Sequence, residues 1–147
     1  MSQSDPNRLV IRRRVPATRD ELFGAWTDAE GMREWMCPGN ILSVDVRKDL
    51  RVGGSFLIVM RDAHETYEHR GEFTVIDRPG KLAFTWIAKA TDFQPTLVTV
   101  ELFTVTETET DLVLTHEKFP GKEVTDQYRV GWGQIVDHLE AYLHARR

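Results

Sequence analysis

One cysteine, no excess of basic residues and no long apolar run set the first limits on this chain of 147 residues. The lone Cys37 excludes an internal disulfide framework and fits a reducing compartment, so the cytoplasm is the expected location. A formal charge of -4 argues against a mainly electrostatic partner such as nucleic acid, because phosphate binding needs concentrated basic surface, and no nucleic acid is expected. The only basic run is Arg12-Arg13-Arg14; in an extended strand at most Arg12 and Arg14 share a face, which reads as a solvated edge. No segment reaches the roughly 20 apolar residues that span a bilayer, and the polar stretch from Met1 to Asn7 lacks the apolar core of a secretory signal, so no membrane insertion is expected. Internal repeats, low-complexity tracts and linkers are also missing, which leaves one domain over 1–147 with a flexible N-terminal tail at 1–7.

What is present begins at the other end. From about Glu123 onward, Val124, Tyr128, Trp132, Ile135, Leu139 and Leu143 recur in steps of three or four and form one apolar stripe, opposite Lys122, Glu123, Gln127, Asp137 and Glu140. Gly131 and Gly133 flank Trp132 in mid-helix, where each costs about 0.8–1 kcal/mol relative to alanine. The pair therefore reads as a place where the helix packs closest to its partner, or where the space beneath it is widest. Upstream, Arg8 to Val15 has strand character. Thr18 and Glu21 have capping-box spacing before a short helix containing Leu22, Phe23 and Trp26, and a second helical turn holds Met32 and Trp35 before Pro38-Gly39. Period-two alternation then marks strands at Ile41–Arg47, Ser55–Arg61, Tyr67–Ile76, Leu82–Ile87, Leu97–Val105 and Leu112–Lys118. Arg78-Pro79-Gly80 turns the first hairpin, and Thr106 to Asp111 connects the second.

This order, with particular residues, resembles the START-like (SRPBCC) superfamily, and within it the subgroup similar to the C-terminal domain of the activator of Hsp90 ATPase. The likeness runs from about Arg8 to Leu143. It is carried by Pro16 through Trp26, Trp35, Val52-Gly53-Gly54-Ser55-Phe56, Gly71, Phe84-Thr85-Trp86 and Gly131-Trp132. It implies an α+β helix-grip (Bet v 1-like) fold. Two short helices should follow the first strand, and a curved antiparallel sheet of six or seven strands should wrap around the long C-terminal helix, with a cavity between sheet and helix. Eukaryotic Hsp90 activators join such a domain to a separate N-terminal one, and this chain is too short for both, so chaperone activation does not transfer with the resemblance.

On that fold the alternation turns Phe56, Ile58, Met60, His69, Gly71, Phe73, Phe84, Trp86, Val98, Val100, Leu102, Leu112, Leu114 and His116 inward, with Tyr128, Trp132 and Ile135 above them and Glu68, Arg70 and Glu72 outside. Such residues make either a plain core or the wall of an adaptable apolar pocket. The candidate ligand-binding set is Trp35, Phe56, Ile58, Met60, His69, Phe84, Trp86, His116, Tyr128 and Trp132, with His69, His116 and Tyr128 as polar anchors and Trp132 plugging or lining the space under the helix. No metal and no cofactor are expected. His64 and His69 are five apart rather than four and do not lie on a helix, His138 and His144 are six apart and read as surface residues, and no phosphate loop, dinucleotide fingerprint or triad is present. Cys37 is expected near the cavity mouth as an inert thiol. The leading functional expectation is a binder of a small apolar ligand. Alternatives are a chaperone-associated interaction module and an enzyme of the cyclase, dehydratase or hydrolase kind, for which the residues give no positive evidence. The edge strand Leu9 to Val15 offers a homodimer contact.

Overall fold

A computed structural model describes residues 5–146. β1 (Leu9–Val15) leads into α1 (Arg19–Thr27) and α2 (Ala29–Trp35); then follow β2 (Ser43–Lys48), β3 (Ser55–Arg61), β4 (Thr66–Asp77), β5 (Lys81–Ala88), β6 (Thr96–Thr106) and β7 (Glu109–Glu117) before α3 (Lys122–Ala145). The seven strands form one antiparallel sheet in the order β1-β7-β6-β5-β4-β3-β2, so the first strand returns to close the far edge beside the last. Of the stretch expected as a tail, residues 1–4 lie outside the described residues. Asp5–Asn7 form a turn, in which the Asn7 amide donates to Asp5 Oδ1 at 2.8 Å, and the Asn7 carbonyl accepts from Phe119 N at 3.2 Å.

Local chemistry sets the elements. Thr18 and Glu21 form the expected reciprocal cap: Glu21 N donates to Thr18 Oγ1 and Thr18 N donates to Glu21 Oε1, each at 3.1 Å. Asp28 ends α1 through its amide and opens α2 by accepting from Glu30 N at 3.2 Å, which welds the two short helices at one residue. In the sheet, cross-strand partners Ile58 and His69, Phe73 and Phe84, and Val98 and His116 all lie on the buried face, the face read from the alternation. Gly71 permits the close approach of β4 to β5, because a Cβ there would overlap the Thr85 carbonyl oxygen.

α3 lies across this face and buries Thr125, Trp132, Ile135, Val136, Leu139 and Leu143. Its polar side is not simply solvated: Arg13 of β1, turned toward α3, donates from Nη1 to Asp137 at 2.7 Å and to Glu140 at 3.3 Å. The central residue of the basic run thus ties the first strand to the last helix, while Arg12 and Arg14 face out. The close-packing reading of the helix glycines is corrected by the structure. A Cβ on Gly133 would meet nothing within 4 Å, and one on Gly131 would make only an ordinary contact, 3.8 Å from Pro38 Cβ.

Candidate functional site

The candidate residues separate into three groups. Met60, His69, Trp86, Tyr128 and Trp132 line a pocket of about 210 Å³ beneath the first half of α3. Gly131 and Ile135 complete its helix side, and Pro38, Ala90 and Gln127 form a partly exposed rim. Gly131 therefore marks open space rather than the tightest contact. Phe56, Ile58 and Phe84 lie elsewhere, around a cavity of only about 20 Å³ shared with Trp26, Met32, Met36 and Lys48, room for little more than one water. Trp35 and His116 belong to neither. Trp35 is fully buried edge-on against Trp26 at 4.8 Å, and the indole N–H groups of both are buried without a hydrogen-bond partner among the described residues.

Interior hydrogen bonds decide what each polar group has left to offer. Trp132 Nε1–H donates to His116 Nδ1 at 2.9 Å. An indole can only donate, so Nδ1 is the acceptor and the proton of the neutral ring rests on Nε2. That proton is donated to Thr96 Oγ1 at 2.7 Å, and the threonine hydroxyl donates in turn to the Trp86 carbonyl at 2.6 Å. Burial pushes His116 down to about 3, in keeping with a neutral ring. Both nitrogens are committed and the ring is fully buried, so the expected anchor is instead a strut joining α3, β7, β6 and β5.

His69 differs. Its Nδ1 lies 3.4 Å from the Ile58 carbonyl, which can only accept, so this nitrogen carries the proton. Burial pushes His69 down to about 4, leaving Nε2 as a bare acceptor, and no hydrogen bond among the described residues engages it. The ring stacks at 5.0 Å against Trp86, whose Nε1–H donates to Tyr128 Oη at 3.2 Å. Tyr128 has its own O–H left to give.

Three rim residues escaped the sequence reading. Pro38 and Ala90 sit in connections with no periodicity to place them, and Gln127 lies on the polar side of the helix stripe. Lys48 was missed too: half buried, it donates from Nζ to Met32 Sδ at 3.5 Å, and burial pushes it down to about 8. Cys37 neighbours the rim residue Pro38 but does not line the pocket; its Sγ lies 3.5 Å from the Glu34 carbonyl and 3.6 Å from Nδ1 of the exposed His138, and burial raises the thiol. No group of three or more metal-ligating side chains comes together among the described residues. Among the same residues no helix is long and apolar enough to cross a membrane.

The family model described as "Activator of Hsp90 ATPase homolog 1-like protein" matches residues 16–144. The chain belongs to this family. The AHSA1-like match spans α1 through nearly all of α3, so it takes in every pocket residue. Solved structures agree on the fold. A protein from Rhodobacter sphaeroides superposes with a TM-score of 0.83 at 21% identity, covering 98% of this chain and 97% of its own. An AHSA1 protein from Silicibacter pomeroyi gives 0.80 at 21% identity over 95% and 99%. A structure from Plasmodium falciparum described as an HSP90 activator gives 0.75 at 27% identity over 93% and 96%. No curated protein matches the chain.

Proposed function

We propose that this AHSA1-like protein binds a small, mainly apolar molecule of single-ring size between β3–β5 and α3. The observation that carries this reading is the pocket of about 210 Å³ whose walls are Met60, Trp86, Trp132 and Ile135 and whose helix side is left open at Gly131. An apolar cavity of about 150 Å³ takes up benzene, so this one accommodates a ring with one or two substituents. It is too small for a long lipid, and the separate space at Phe56 and Phe84 holds only about 20 Å³. Native mass spectrometry and thermal-shift measurements with single-ring compounds test the reading. Binding should raise the melting temperature of the natural chain and be lost in Gly131→Leu, whose side chain would fill the pocket. Stabilisation of both proteins to the same extent would place the ligand elsewhere.

A second reading is favoured by the likeness to the Plasmodium falciparum protein: docking to a chaperone of the Hsp90 type through the outer surface. It predicts stimulation of that chaperone's ATPase by the natural chain and equally by Gly131→Leu. No change in ATPase rate on titration would remove it.

A further inference from the structure

We propose that the pocket selects an uncharged single-ring molecule carrying one hydroxyl, held between the Tyr128 O–H as donor and His69 Nε2 as acceptor. This rests on the reading of the pocket as a ligand site and goes on to name the polar group recognised there.

Trp86 brings the two groups to the same wall: its ring stacks on His69 at 5.0 Å and its Nε1–H occupies the acceptor side of Tyr128 Oη at 3.2 Å. Tyr128 is thereby left as a donor into a pocket it lines. His69, only 9% exposed, spends its one ring proton toward the Ile58 carbonyl and is left as an acceptor. A hydroxyl satisfies both at once, since it donates one hydrogen and accepts another. A carboxylate would find one donor and one lone pair opposing it, and an ammonium would find no carboxylate, because no acidic side chain lines the pocket. A hydrocarbon would leave the buried His69 and the half-buried Tyr128 hydroxyl unmet.

Calorimetric titration with p-cresol, p-xylene and p-toluate reads this out, because the first two differ only by hydroxyl against methyl. p-Cresol should bind about tenfold tighter than p-xylene, and p-toluate should not bind near neutral pH. Tyr128→Phe and His69→Phe should each erase the preference for p-cresol over p-xylene measured on the same variant, whereas Gly133→Ala, outside the pocket lining, should keep it at about tenfold. Equal affinity of the natural chain for p-cresol and p-xylene, or tight binding of p-toluate, would overturn the hydroxyl assignment and leave the pocket reading standing. Failure of all three to bind, with the chain folded, would remove the pocket reading and this inference together.

Discussion

Two histidines face the same interior from β4 and β7, and their surroundings assign them different work. Around His116 every polar atom is answered: Trp132 donates to it, it donates to Thr96, and Thr96 donates to the Trp86 carbonyl. Around His69 the chain is half written, with one long contact to a backbone carbonyl and a second nitrogen left open beside a pocket. Both rings are buried and both are held neutral, so neither burial nor a lowered pKa tells the two apart. The remaining hydrogen-bonding capacity does.

The largest expected difference is in stability. His116→Ala should cost about 3–5 kcal/mol in urea unfolding, because it opens a void and strands the Trp132 and Thr96 groups, whereas His69→Ala, beside space already open, should cost about 1–2 kcal/mol. Equal losses would erase the distinction. Acid comes next. A histidine near 6.5 when unfolded but held at about 4 or about 3 in the fold binds its proton first in the unfolded state. Stability is therefore complete above pH ~6.5 and falls on acidification through the window down to pH ~4, by about 1.4 kcal/mol per pH unit for each ring. Urea midpoints taken across that window should show the slope of two histidines in the natural chain and about half of it in His69→Phe. A smaller effect attaches to Tyr128→Phe, which leaves the Trp86 N–H without its acceptor and should cost about 1–2 kcal/mol in the same assay. Smallest, and opposite in sign, is Gly133→Ala: its methyl meets nothing, so the melting temperature should rise with a gain of about 0.8 kcal/mol.

The sheet, its inward face and the capped entry to α1 were legible because period-two alternation and capping-box spacing are local signals, and burial enforces the register at Phe56, His69 and Trp86. The pocket was legible only as a face. Alternation tells that His69 and His116 point inward but not which neighbour donates to which nitrogen, since Thr96, Trp132 and Ile58 reach them from other elements. Arg13 illustrates the same limit. Its position in a basic run suggests a rim, and only the crossing of α3 over β1 brings Asp137 and Glu140 to it. Trp35 looked like a pocket residue because it is large and apolar, yet the fold of α1 onto α2 spends it against Trp26.

The tryptophans Trp26, Trp35, Trp86 and Trp132, the chain's full complement of four, have an optical consequence. Each is at most 2% exposed, so the native emission should be short in wavelength and should shift red as a single event when the interior opens to water. Trp86 alone has its ring on His69 and its N–H on Tyr128, at the pocket wall. Occupation of the pocket would change the surroundings of Trp86 and of Trp132, the two of the four indoles that line it, so binding of a small ring compound would register in the protein's own emission without any label.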